Sequence, residues 1–143
     1  CLFYAEKDYF CDNTRKASRK ECLVSFLTRQ GIAIYDAATE VRRLQDNASD
    51  KFLEVVTPTS IQSLLQQLPA CRAIATTGEK ATETICEQLA IQPPKVGQSV
   101  PFTLCGKNYR LYRMPSSSRA YPLALEKKAA AYRTLFQELG YHI

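Results

Sequence analysis

Apolar positions along the chain recur with two periods, and together they predict helices alternating with strands. Cys22, Leu23, Phe26 and Leu27 repeat at helical spacing in a segment that opens on a candidate capping box, Ser18 with Glu21, and closes at Arg29 before Gly31. Residues 31–36, Gly-Ile-Ala-Ile-Tyr-Asp, are a short apolar run, predicted as a strand buried on both faces that ends in a carboxylate. Residues 42–50 are polar and irregular, a loop by composition. Thr59 with Gln62 offers a second capping box, for a helix carrying Ile61, Leu64, Leu65 and Leu68 until Pro69 ends it. A second strand is predicted over residues 72–77, after which Gly78 opens a helix through Ala81, Ile85, Cys86 and Leu89. Beyond Pro93-Pro94 a hairpin turning at residues 105–108 leads into a basic, tyrosine-rich strand over residues 108–114. The last helix, after Pro122, is expected to bury Leu125, Ala129, Tyr132, Phe136 and Leu139 and to stop at Gly140. This order of elements indicates an α/β sandwich with a mainly parallel sheet.

The 143 residues fit a single domain spanning 1–143, able to bury roughly two thirds of its unfolded surface. No apolar run is long enough to cross a bilayer. The chain starts at Cys1 with Leu2-Phe3-Tyr4 already apolar, as though inside an element, so an N-terminal portion is expected to be missing. Six cysteines are present, but no two are close enough for a Cys-x-x-Cys motif, and the one histidine, His142, is next to last. No zinc site and no cofactor are therefore expected. Cys22, Cys71, Cys86 and Cys105 lie beside apolar positions and read as small buried thiols of a reducing cytoplasm, a disulfide framework being the alternative.

Charge changes the picture more than composition does. Residues 1–100 carry twelve Lys and Arg against twelve Asp and Glu, so the formal +5 arises entirely from residues 101–143. There Lys107, Arg110, Arg113, Arg119, Lys127, Lys128 and Arg133 face only Glu126 and Glu138. A local excess of this kind suits a polyanionic partner. Lys127, Lys128 and Arg133 read better as solvated helix charges.

Within that basic segment lies Met114-Pro115-Ser116-Ser117-Ser118-Arg119-Ala120-Tyr121-Pro122, between the last strand and the last helix. It should sit at a strand's carboxyl end, where open α/β sheets place ligands. Three successive hydroxyls can donate to phosphate oxygens, the prolines stiffen the loop, and Arg119 adds a delocalised cation. Such a loop can hold a phosphate without reading sequence.

Three strand ends now stand in order: Asp36 after Gly-Ile-Ala-Ile-Tyr, Thr77-Gly78 before Glu-Lys-Ala, and Met-Pro-Ser-Ser-Ser-Arg. Together they resemble the uracil-DNA glycosylase superfamily over roughly residues 20–140. The third looks most like the loop of the thymine-DNA and mismatch-specific thymine-uracil glycosylases, the first two more like the hypoxanthine-DNA glycosylase branch. The resemblance implies a three-layer α/β/α sandwich with a mainly parallel central sheet. It also implies a monomer that excises a deaminated or mismatched base, of uracil or hypoxanthine type, from DNA. Carried over by position, it makes Asp36 the candidate for base recognition, the alternative being a strand-end Asp that caps the next turn. Thr77 and Gly78 match a turn whose glycine lets the backbone approach the ligand, although a tight strand-to-helix turn would need the same glycine. Pro115, Ser116, Ser117, Ser118 and Arg119 match the loop that pinches phosphates, with Arg119 as a wedge for the emptied base stack or else a surface partner of Glu126.

The sequence departs from the family at two places. Met114 stands where some members begin the loop with a histidine, and no Gly-x-x-Pro motif with a water-activating Asn, Asp or Glu occurs before Gly31. No catalytic residue is assigned for that reason. A non-catalytic DNA- or nucleotide-binding module of the same fold is the alternative function, and a flavodoxin-like small-molecule binder a further one.

Overall fold

A computed structural model describes residues 19–43 and 53–143. The chain divides into two compact units, one of Cys1–Tyr35 with His142–Ile143 and one of Asp36–Tyr141. In the first, α1 (Lys20–Gln30) ends where Gly31 adopts φ 67°, and the Gly31 and Ile32 N–H groups close on the carbonyls of Leu27 and Thr28. Its N-cap is Arg19, without a side-chain cap, and Ser18 lies outside the described residues. Residues 32–36 do not form the expected strand. They have no ladder partner among the described residues, and Ile34 and Tyr35 are 72% and 66% exposed. An apolar run becomes a strand only where another strand can take its N–H and C=O groups.

The second unit opens with a hairpin that the polarity pattern does not signal. β1 (Ala38–Arg43) pairs antiparallel with β2 (Leu53–Pro58), with irregular register around Glu40. Cross-strand polar contacts accompany the ladder: Thr39 donates to the Thr57 carbonyl, Thr57 to Glu40, and Arg42 meets Glu54 at 3.6 Å. Most of the loop expected over residues 42–50 falls outside the described residues, but Arg42 and Arg43 belong to β1. α2 (Ile61–Gln67) follows, capped one residue later than expected, with the Ser60 hydroxyl accepting from the Ser63 N–H at 3.3 Å.

The remaining strands form a three-stranded sheet in the order β3 (Ala73–Thr77), β5 (Lys107–Met114), β4 (Ser99–Leu104). β3 runs parallel to β5 and β4 antiparallel, so the described sheet is mixed where a mainly parallel one was expected. The β4–β5 turn is tighter than predicted. Cys105 and Gly106 alone make it, with φ 51° and 75°, as a two-residue hairpin turn requires, and Lys107 and Asn108 are already paired.

Alternate residues of β5 enter two apolar clusters. Tyr109 and Leu111, the latter fully buried, pack with Phe102, with Ile61 and Leu65 of α2, and with Ile85 and Cys86 of α3 (Glu79–Leu89). Tyr112 and Met114 pack with Leu135, Ala131 and Tyr132 of α4 (Leu125–Glu138). Since strand side chains alternate between faces, α3 and α4 lie on opposite sides of β5. This is a mixed α/β fold.

Two burial expectations are corrected. α4 packs through Lys128, Ala131, Tyr132, Leu135 and Leu139, whereas Leu125 is 64% exposed. Cys86 is buried and Cys71 half-buried, but Cys22 and Cys105 are exposed, and all four are free thiols. Cys105 is exposed because it forms the hairpin turn. Burial raises the Cys86 thiol pKa, and the Arg113 charge opposes that rise.

Candidate nucleic-acid interface

The parallel pairing of β3 and β5 builds the site. Thr77 stands opposite Met114 in the ladder, so the residues that follow each strand, Gly78 and Pro115, leave the same edge side by side. The Gly78 N–H donates to the Met114 carbonyl at 3.3 Å. Gly78 caps α3 with φ 103° and ψ 168°, a conformation essentially reserved for glycine. A Cβ there would meet the Ser116 Cβ at 3.6 Å, an ordinary contact, so the backbone angle and not the space demands glycine. Beneath the turn the Thr76 and Thr82 hydroxyls lie 2.8 Å apart, both buried residues, and the Thr82 hydroxyl donates to the Gly78 carbonyl at 2.7 Å. The turn is thus fixed from below by side chains as well as by the ladder.

The serine loop is held with similar completeness. Pro115 is fully buried and Ser116 half-buried, while Ser117, Ser118 and Arg119 are exposed. The Ser116 hydroxyl oxygen accepts from the Ser118 N–H and the Ser118 hydroxyl oxygen from the Ala120 N–H, both at 3.2 Å. Two side chains of α4 reach the loop's backbone. The Tyr132 hydroxyl donates to the Pro115 carbonyl at 3.0 Å, and the Lys128 ammonium donates to the Ser118 carbonyl at 2.6 Å, 5.4 Å from the centre of the Tyr121 ring. Burial raises the Tyr132 pKa, so its phenol stays protonated and able to donate.

This pattern has a chemical sense. The carbonyls of Pro115 and Ser118 and the hydroxyl oxygens of Ser116 and Ser118 are already accepting hydrogen bonds. A serine oxygen that accepts still carries a proton to donate. The loop therefore offers donors, with the exposed Arg119 beside them, and suits a ligand rich in acceptors such as a phosphodiester. Among the described residues Arg119 forms no ion pair with Glu126.

Several other cations of this segment are engaged within the fold. Arg113 donates to the Pro94 carbonyl at 3.2 Å and lies 3.8 Å from Glu79. Arg110 donates to the Ser99 hydroxyl at 2.9 Å, and Lys107 to the Pro69 carbonyl. Lys128, expected on a solvated face, is instead buried. A lysine tolerates that position because a carbonyl and an aromatic ring receive its ammonium. No family model, curated protein or solved structure matches the chain.

Asp36 is placed differently from the other candidates. Its carbonyl accepts from the buried Thr59 hydroxyl at 2.7 Å, and the Thr59 carbonyl accepts in turn from the Gln88 side chain at 2.9 Å. Gln88 lies in the last turn of α3, about 15 Å along the helix from Gly78 at 1.5 Å per residue. Thr77, Gly78 and Ser116 are brought together, and the anchor of Asp36 lies at the other end of α3.

Thr76, Thr82, Lys128 and Tyr132 were not singled out as site residues from the sequence. A signal existed for the last two, since a lysine four residues before a tyrosine, within the 128, 131, 132, 135 stripe, puts both on one face of a helix. Among the described residues no His, Cys, Asp and Glu cluster could hold a metal, and no helix is long and apolar enough to cross a membrane.

Proposed function

We propose that the chain binds DNA through the edge formed by Thr77, Gly78 and the serine loop, as a monomeric, cytoplasmic member of the uracil-DNA glycosylase superfamily. The fold in this reading is the three-layer α/β/α sandwich of that group. The supporting observation is the meeting of Gly78 and Ser116 at the carboxyl edge of two parallel strands, with the Pro115 and Ser118 carbonyls of the loop accepting from α4. The reaction is hydrolysis of the N-glycosidic bond of a deaminated or mismatched base, of uracil or hypoxanthine type. Rotating the base out of the duplex costs a few kcal/mol, least at a mismatch. The serine loop offsets that cost by gripping phosphates, and Arg119 by filling the gap in the stack. Cleavage further needs a carboxylate or amide that positions water and stabilises the cationic sugar. Asp36, with an exposed side chain, is the candidate for the base edge, and its role is separable from the phosphate grip.

The placement of Asp36 favours a second reading, a DNA- or nucleotide-binding module without catalysis. Its anchor lies at the other end of α3 from the edge where Gly78 meets Ser116. Duplexes containing uracil, hypoxanthine or a stable abasic analogue distinguish the two. Base release supports the glycosylase, binding to the abasic duplex without release supports the module, and neither result would remove DNA as the partner.

A further inference from the structure

We propose that Lys128 and Tyr132 are positioning residues that set the phosphate-binding form of the serine loop from behind, and that the Lys128 ammonium lends its charge to the bound phosphate without touching it. The proposal rests on the DNA-binding reading above. It starts from a geometric coincidence. Two side chains one helical turn apart on α4 take two of the loop's carbonyls, those of Pro115 and Ser118, the second of which also accepts from the Tyr121 N–H at 3.2 Å. The Ser116 and Ser118 hydroxyls, whose oxygens already accept, keep their protons for an anion.

The two contacts differ in kind. Tyr132 contributes a neutral hydrogen bond. Lys128 contributes a charge-assisted one at 2.6 Å, and it is only 7% exposed. Its partners are a carbonyl and the Tyr121 ring, and among the described residues no carboxylate pairs with it. With no counter-charge beside it, the ammonium offsets part of the charge of a phosphate held by the loop, so that binding releases condensed counterions. Placed directly under a loop that grips phosphate, its field adds to the affinity. That accounts for a lysine at a position where α4 otherwise packs apolar residues.

The test uses the full chain with three substitutions, Lys128→Met, Lys128→Arg and Tyr132→Phe, and a duplex carrying a stable abasic analogue. Binding is followed across a salt series, and amide hydrogen exchange is measured at Ser118 and Ala120. Lys128→Met should lose about tenfold or more in affinity, the equivalent of a charged hydrogen bond. It should also make the log affinity against log salt plot shallower, by up to about 0.9 for one phosphate's worth of charge. Lys128→Arg should keep the slope. Tyr132→Phe, which removes a single oxygen, should lose about fivefold with the slope unchanged. Exchange at both amides should quicken in the Met and Phe variants. Wild-type affinity and slope in Lys128→Met would overturn the proposal while leaving DNA binding intact, and faster exchange with an unchanged slope would overturn its electrostatic half. If the unsubstituted chain does not bind the duplex, the DNA reading falls, and unchanged exchange in both variants would then overturn the clamp separately.

Discussion

Thr77-Gly78 and Asp36 each end an apolar run, yet the second unit holds them by different means. Thr77 is in ladder register with Met114, and Gly78 is tied by its N–H to β5 and by its carbonyl to Thr82. Asp36 lies outside a ladder, its carbonyl tied to the Thr59 hydroxyl and the next carbonyl, of Ala37, to the Thr59 N–H at 3.0 Å. A ladder fixes several residues at once, and its cost of disruption is shared with the core beneath it. A single side-chain bond contributes about 1 kcal/mol. The difference teaches where preorganisation resides: the phosphate side of the proposed site is built into the sheet, and the base side depends on a local contact at the far end of α3.

Substitutions that break this contrast should rank accordingly. Leu111→Ala empties the centre of the larger cluster, below the β3–β5 ladder, and should cost about 2–5 kcal/mol in urea unfolding. DNA binding should weaken with it, because the edge and the core are one structure. Gly78→Ala should cost about 1–3 kcal/mol through its φ of 103°. Because a Cβ has room against Ser116, Gly78→Ser should cost about the same as Gly78→Ala, and a much larger loss for serine would mean that space rather than backbone angle is limiting.

How far these features were readable from the sequence follows the same division. β3, α3, the β4–β5 hairpin and the span of α4 were legible, because burial on one or both faces imposes a period and glycines mark the ends. The β1–β2 hairpin was not. Its Ala-Thr-Glu-Val-Arg-Arg strand joins neither apolar cluster, Val41 is 47% exposed, and polar cross-strand pairs accompany its ladder, so no alternation was written into it. Residues 32–36 show the converse. They are apolar enough for a strand and have no strand to pair with among the described residues. In the site, the Thr77-Gly78 and Ser116 meeting was foreseeable from strand order. Lys128 was misread because a charge run on a helix is usually solvated, and only the loop carbonyl and Tyr121 ring explain its burial.

Thr59→Val sharpens the comparison from the other side. It leaves the Asp36 carbonyl without its hydroxyl donor and should cost about 1–2 kcal/mol of stability. Affinity for an abasic duplex, read by fluorescence anisotropy, should stay within twofold of the parent. A parallel loss of affinity would join the two regions that the hydrogen bonds keep apart. Arg119→Ala should have the smallest effect on stability, within about 0.5 kcal/mol, as an exposed residue in a loop held by other groups. Its effect belongs to binding: affinity for abasic duplex should fall more than affinity for intact duplex, since a wedge acts only where a base has left the stack. Lys127→Ala, on the exposed side of α4, should change neither.

The edge formed by Gly78 and the serine loop is proposed to grip DNA through its phosphates. The most direct measurement is the salt dependence of binding to an abasic duplex, for the parent chain and for Ser116→Ala with Ser117→Ala. The parent should bind with log affinity falling linearly in log salt, by about 0.9 for each phosphate neutralised, and the double variant should bind more weakly at every salt concentration. Binding that is indifferent to salt, or unchanged by loss of both hydroxyls, would contradict it.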